Sequence, residues 1–392
     1  MHRITITLFC FISSLSLHIG AANNQLIQVR TATFNTSLNF RQKGDISQAM
    51  KNCQQPRIKK IAAVIQRNKP DLILLNEFDY DPDGKAAEDF IKNCLTIPHY
   101  GQDPINYPYH YSNSVNTGEP SGLDLNQNGT LGDAGDAWGY GRFPGQYGML
   151  VLSKLPIDSK NIRTFQNFLY TDMPETSRSI KPSDGTTYFP DNIWSQLRLV
   201  SKSFWDIPVK VDGKTIHFLV SHPTPPVFDG PEDRNGHRNH DEIRLLSDYL
   251  NTTKSHYIVD DKGSQGGLAA GDYFIIAGDM NADPLDGDST DNPIDQLLDN
   301  SLVNTSFTPQ SSGAVEAAKL QAGANLIHKG DAKFDTGDFN DKRPGNLRLD
   351  YVLPSQTLKI LGGEVFWPAS TEIGHDWLDA SDHHLVYVDI TL

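Results

Sequence analysis

The sequence predicts an α/β fold whose functional groups gather at strand ends. Three observations predict it. Apolar runs of strand length alternate with segments of helical periodicity, a polar residue closes run after run, and no linker, internal repeat or low-complexity tract divides the chain. Because α/β enzymes build their sites where strands end, those closing residues are the candidates for chemistry.

Taken in order, "LIQVRTATFN" is strand-like and Asn35 closes it. "PRIKKIAAVIQRNKPD" places Ile58, Ile61, Ala62 and Ile65 at helical spacing, with Pro56 suited to a first turn and Pro70 marking the exit. "DLILLNEF" is an apolar strand ending in Glu77, which completes a strand-helix-strand unit. Tyr100 to Gln146 is loop-rich and polar, after which "YGMLVLSKLPI" resumes a strand. "IPVKVDGKTIHFLVSHPT" predicts a hairpin about Asp212-Gly213, its second strand ending at His222. "NHDEIRLLSDYL" predicts a helix capped by Asn239, with Ile243, Leu246 and Leu250 on one face. "YFIIAGDMNAD" is a buried strand that delivers Asp279, and strand alternation would point Asn281 to the same side. A second loop-rich region spans Thr308 to Gly345, before "LRLDYVLPS" with Asp350 and "SDHHLVYVDITL" with Asp382 and His383.

Residues 1–22 have the basic start, short apolar stretch and small residues of a secretory signal peptide, which predicts a secreted or periplasmic protein without a membrane span. Cys10 leaves with that leader. Cys53 and Cys94 stay, and in an oxidising compartment they suggest one disulfide, two free thiols being the alternative. The net charge of −14 argues against a grip on nucleic acid through bulk positive charge. It suits a protein that concentrates divalent cations, with an anionic substrate met by bound metal and a few local basic residues.

Any one of Asn35, Glu77, His222, Asp279, Asn281, Asp350, Asp382 and His383 has an ordinary structural explanation. As an ordered set, "TFN", "LILLNEF", "YGMLVLSKLPI", "VSHPT", "IAGDMNAD", "RLDYVLP" and "SDHHLV" resemble the endonuclease/exonuclease/phosphatase superfamily, which includes DNase I-like nucleases, inositol-phosphate phosphatases and bacterial sphingomyelinases. The resemblance covers nearly the whole of residues 23–392. It implies a four-layer α/β/β/α sandwich and Mg²⁺ or Mn²⁺ at the active site. Glu77 would be the principal metal ligand, with Asn35 and Asp382 completing the site. His383, held in its tautomer by Asp350, and Asp279 would jointly position and activate water, while Asn281 and His222 hydrogen-bond phosphate oxygens. Two positions depart from the pattern: Asn76 stands where glutamine is usual, a change expected to matter little, and Gln146 stands where some nucleases of the family have a catalytic tyrosine. The loops near 100–146 and 308–345 are expected insertions.

The resemblance thus implies a metal-dependent phosphoesterase acting on phosphodiesters, nuclease-like and directed at extracellular DNA or RNA, with no obligate protein partner. A phosphomonoesterase or sphingomyelinase-type hydrolase is the alternative among enzymes, and a calcium-stabilised binding module the alternative outside them. Two further features bear on this choice. The basic cluster after His222 offers Arg234 and Arg238 as substrate contacts. "DLNQNGTLGD" sets Asp124, Asn126 and Asn128 at alternating positions, with Asp133 or Asp136 standing in for the acid a full loop would carry, which predicts a structural Ca²⁺.

Overall fold

Alternate residues of the central strands are apolar on both faces, so each sheet must be covered twice. The computed structural model, which describes residues 27–392, shows how; the expected leader and Cys10 lie outside the described residues. One sheet runs β10 (Lys359–Val365), β11 (Val386–Thr391), β1 (Gln28–Asn35), β2 (Leu72–Asn76), β4 (Met149–Ser153), β3 (Tyr109–Tyr111). The other runs β5 (Arg163–Thr164), β6 (Phe204–Val211), β7 (Lys214–Ser221), β8 (Tyr273–Asp279), β9 (Asp350–Pro354). Among these strands β1/β2 and β7/β8 pair in parallel and the other neighbours antiparallel.

On β2, Leu72 and Leu74 point into the space between the sheets, where they join Phe218, Val220, Ile275 and Ala277. Their neighbours Ile73 and Leu75 face outward onto α1 (Asp45–Asn52) and α2 (Pro56–Asn68), packing with Ile58, Ile61 and Ile65. On the second sheet Leu219 and Ile276 face outward onto α5 (Arg234–Tyr249) and its Ile243 and Leu246. The result is the expected four-layer α/β/β/α sandwich. Burying each such side chain contributes about 1.5–3 kcal/mol, and period-two alternation distributes that gain over two cores. The remaining helices are short: α3 (Lys85–Asp89), α4 (Asp191–Trp194), α6 (Asp295–Leu298) and α7 (Ser312–Gln321).

Most expected elements are present. Asp212 and Gly213 both have positive φ, 46° and 77°, as a tight two-residue hairpin turn requires. Cys53 and Cys94 form the disulfide, with Cα atoms 5.5 Å apart, and it joins the end of α1 to residues 90–95. No helix of the described residues is long and apolar enough to cross a membrane.

Three expectations need correction. Asn239 is no helix cap: α5 starts five residues earlier, and the buried Asn239 amide donates to the carbonyls of Thr224 and Met280. Carbonyls from two neighbouring loops take its N–H groups, while its Oδ1 finds no partner, since the N–H groups a cap would accept lie at the helix start. The 308–345 region contains α7, which Ser311 caps by accepting the N–H of Ala314. The extended chain also stops at Asp279, so alternation does not carry on to Asn281, whose φ is 50°.

On the outer face of the second sheet Asp206 accepts hydrogen bonds from Tyr249 Oη (2.7 Å) and His217 Nδ1 (2.8 Å). Burial works against a charged His217, but the hydrogen bond and charge of Asp206, with Asp272 behind it, outweigh burial and raise its pKa above 6.5. The stability this pair contributes is therefore full below about pH 6.5 and lost as the pH rises through the raised folded value. His217→Gln is expected to lower the melting temperature most near pH 6 and less near pH 9; a difference that does not shrink with rising pH would contradict the assignment.

Candidate active site

Strand direction assembles the site. Asn35 ends β1 and Glu77 follows β2, while His222 follows β7 and Asp279 ends β8, so each parallel pair delivers its groups at its C-terminal edge. β9 runs antiparallel to β8 and starts at that edge, with Asp350 directly opposite Asp279 in register. β11 runs antiparallel to β1, so Asp382 and His383, which precede it, reach the same edge. β1 packs across the gap against β8 and β9, which brings the two sets together. The fit is close: a Cβ on Gly278 would stand 2.1 Å from the Ser221 carbonyl oxygen, so only glycine can precede Asp279.

One carboxylate occupies the centre. Asp279 Oδ2 accepts the Asn35 amide at 3.0 Å and faces His222 Nε2 at 3.4 Å and His383 Nε2 at 3.6 Å. His383 Nδ1 is 2.8 Å from Asp350 Oδ2, which also accepts the Thr336 hydroxyl, so imidazole and carboxylate form the expected pair. Glu77 accepts Asn35 Nδ2 at 3.4 Å and Asn39 Nδ2 at 2.6 Å. Asp382 accepts the Ser37 hydroxyl at 2.9 Å, and Ser381 donates to the Asn35 carbonyl. The non-glycine residues Ser37, Glu77, Tyr147 and Asn281 all take positive φ around this centre. Such strain persists only where surrounding contacts over-determine it, and it concentrates at functional sites.

The Endonuclease/Exonuclease/phosphatase family model matches residues 32–383, which takes in every residue of this edge. The chain belongs to that family. Its members are metal-dependent phosphoester hydrolases, and the chain is an enzyme of that kind. No curated protein matches it. Similar solved structures include an endonuclease/exonuclease/phosphatase from Beutenbergia cavernae (17% identity, 93% of this chain and 72% of that one, TM-score 0.50). Others are a magnesium-bound double mutant of beta toxin from Staphylococcus aureus (14%, 92% and 99%, 0.47) and sphingomyelinase C from Streptomyces griseocarneus (15%, 93% and 99%, 0.47). At such identities the likeness to the first is one of fold.

The electrostatics of this family site are uneven. Burial raises the Glu77 pKa, and the carboxylates of Asp382 and Asp279 push it the same way, against His383 and Lys202. Burial likewise raises Asp279, helped by Asp350. Burial alone would depress His383, yet the charges of Asp350 and Asp279 lift it well above its ordinary value. His222 has no such partner on its Nδ1; burial, with Lys202 and His383 nearby, holds it well below. Two imidazoles beside one carboxylate are thus driven in opposite directions.

A hard divalent cation fits these residues. Asn35, Glu77 and Asp382 offer oxygen donors of the kind Mg²⁺ takes, and Glu77 and Asp382 make no ion pair with lysine or arginine among the described residues. Their mutual repulsion is what a bound cation would relieve. Asp279, Asp350 and His383 also converge, with ligand atoms within 4.8 Å of one another. There the 2.8 Å Asp350–His383 hydrogen bond marks a proton-holding pair instead.

Other expected residues are engaged in structural contacts beside or away from the centre. Asn281 Nδ2 donates to the Pro223 carbonyl and its backbone N–H to Asp279, so it braces two site loops. Arg234 pairs with Glu232 and lies over the Tyr188 ring. Arg238 donates to the carbonyls of Leu199, Trp138 and Arg198 and pairs with Glu242, which makes it a loop anchor. In the 124–136 loop Asn126 and Asn128 donate to Asp133, Asp124 accepts the N–H groups of Asn128 and Gly129, and Asp136 accepts those of Leu125 and Gly132. Its carboxylates are engaged by the loop's own donors. Gln146 bonds the Phe40 carbonyl and the Arg142 N–H, and takes no part in the centre. Asn76 ties one sheet to the other: its amide accepts the N–H of Asp279 and donates to the Ser221 carbonyl.

Four residues escaped the sequence reasoning: Ser37, Asn39, Arg57 and Lys202. The first two were visible as polar residues spaced by two after Asn35 in "TFNTSLN". Lys202 is buried, its ammonium 3.4 Å from the Pro223 carbonyl, with burial lowering its pKa against the charges of Glu242, Glu77 and Asp279. It lies two residues before β6 and carries no local signature in the sequence. Asp350→Asn is expected to keep the fold but free the His383 ring, cutting kcat about 10²–10⁴-fold with little change in KM; circular dichroism and steady-state kinetics check both parts.

Proposed function

We propose that this protein is an exported phosphodiesterase of nuclease-like activity. The observation that carries the proposal is the shared Asp279 carboxylate, set between two oppositely shifted histidines and beside unpaired carboxylates suited to a cation. A divalent metal, when bound by Glu77, Asn35 and Asp382, supplies neutralising charge to the phosphoryl oxygens. Asp279 and His383 face each other at 3.6 Å, both shifted upward, and the pair takes up the proton that water loses. Asp350 keeps the His383 ring aimed. His222, held neutral by burial, donates an N–H to substrate oxygen without adding charge.

Fixed cations at the centre are few, which favours a singly charged diester over a dianionic monoester. A polymer is favoured by a feature of the surface. From Arg41 to Lys69 the chain carries eight basic residues against one acid, Asp45, and Arg41 and Lys43 lie exposed in the loop that continues from Asn35, Ser37 and Asn39. The segment from Pro231 to Arg244, by contrast, mixes its three arginines with four acids. Export is supported by the Cys53–Cys94 bond, which suits an oxidising compartment.

Purified protein is expected to cleave DNA and bis-p-nitrophenyl phosphate with Mg²⁺ and to lose both activities in EDTA. Hydrolysis confined to p-nitrophenyl phosphate or to sphingomyelin would overturn the diester-polymer reading. Replacing Arg41 and Lys43 together by alanine should lower kcat/KM on DNA about tenfold at low salt, with a shallower salt dependence, while the small diester is cleaved as before.

A further inference from the structure

Arg57 opens α2 and reaches back under the site. Its Nε donates to the Ala380 carbonyl at 2.8 Å, and its Nη2 donates to the carbonyls of Thr36 (3.2 Å) and Ser37. All three acceptors are backbone oxygens, and they come from segments more than three hundred residues apart. The first segment carries Asn35, Ser37 and Asn39; the second runs directly into Ser381, Asp382 and His383. Above the guanidinium the same segments bond each other, through Ser37 Oγ to Asp382 Oδ1 and Ser381 Oγ to the Asn35 carbonyl. Ser37, whose carbonyl Arg57 holds, is one of the residues strained at positive φ, 48°.

We infer that Arg57 is a positioning residue that sets divalent-cation affinity, clamping the loop after β1 to the loop before β11 so that Glu77 and Asp382 keep the spacing a metal requires. The inference rests on the proposal that these carboxylates hold the metal. A planar fork with several fixed donors can hold carbonyls of two loops at once, which a lysine ammonium on a flexible stem cannot do in the same geometry. The cation also lies close enough to Asp382 and Glu77 to feel both without bonding either, so it tempers their repulsion while leaving their oxygens free. Removing the clamp lets two loops relax apart at small cost to the core and large cost to the site between them.

The test uses the full chain stripped with EDTA. Mn²⁺ binding is measured by calorimetry for wild type, Arg57→Lys, Arg57→Met and a control, Lys60→Met. Lys60 bonds Asp379 at 2.6 Å and so joins the same helix to the same neighbouring segment without touching either site loop. Both Arg57 variants are expected to weaken Mn²⁺ binding at least tenfold. On bis-p-nitrophenyl phosphate they should raise the Mg²⁺ concentration for half-maximal rate equally, with KM for the diester unchanged and kcat largely restored at saturating Mg²⁺. The control should match wild type in metal affinity even where its melting temperature falls. Unchanged Mn²⁺ affinity in Arg57→Lys would overturn the inference, as would a loss of kcat that no Mg²⁺ concentration restores. Should Arg57→Met fail to fold, the Lys variant decides. Wild type that binds no divalent cation would instead overturn the metal reading itself.

Discussion

The constraint on which the rest depends is repulsion among Glu77, Asp279 and Asp382. Three carboxylates meet at one edge of a sandwich, Asp279 buried, Glu77 part-buried and Asp382 at the exposed rim, and among the described residues no lysine or arginine is ion-paired to any of them. Left alone, such like charges would push their loops apart, and burial already raises the pKa of Glu77 and Asp279. It is held by amides and hydroxyls: Asn35 and Asn39 on Glu77, Asn35 on Asp279, Ser37 on Asp382. Neutral donors orient the oxygens without cancelling the charge, which is how a site stays hungry for a cation.

The sandwich supplies what a repulsive site cannot supply for itself. Each sheet is clamped between an inter-sheet core and an outer helical layer, so the strand ends have little freedom to retreat. Asn76 bonds across the gap to Asp279 and Ser221, and the 308–345 region returns to the edge, where Gly337 bridges to His383 and the Phe339 ring packs nearly perpendicular to the imidazole. Arg57 and the Cys53–Cys94 bond hold the helical layer beneath the loop that carries Asn35 to Asn39. Local strain at Glu77 and Ser37 is tolerable because these longer-range contacts are many.

Strand ends were legible in the sequence because both-face burial and period-two alternation leave a strong pattern, and because strand direction sends each closing residue to one edge. Asn35, Glu77, His222, Asp279, Asp350, Asp382 and His383 all arrive there. What was not legible depends on contacts between distant segments. Asn239 resembles a cap because a polar residue before an apolar stripe usually is one; its partners are carbonyls of loops 15 and 41 residues away. Arg238 stands in a basic cluster, yet carbonyls of the 138 and 198–199 loops claim it. Lys202 and Arg57 carry no local signature at all, since their roles come from what folds against them. The helix at Ser312–Gln321 is weakly amphipathic and sits in a polar region, so periodicity did not reveal it.

Charge distribution follows the same logic. A net −14 protein repels polyanions at a distance, so any grip on one must be local, and the basic stretch beside the site loop is the place for it. The account is tested most directly by anomalous diffraction from crystals soaked in Mn²⁺. It predicts a peak about 2.1 Å from a Glu77 carboxylate oxygen, shared with Asp382 or Asn35. A peak confined to the Asp350–His383 pair or to the 124–136 loop, with none at Glu77, would contradict it.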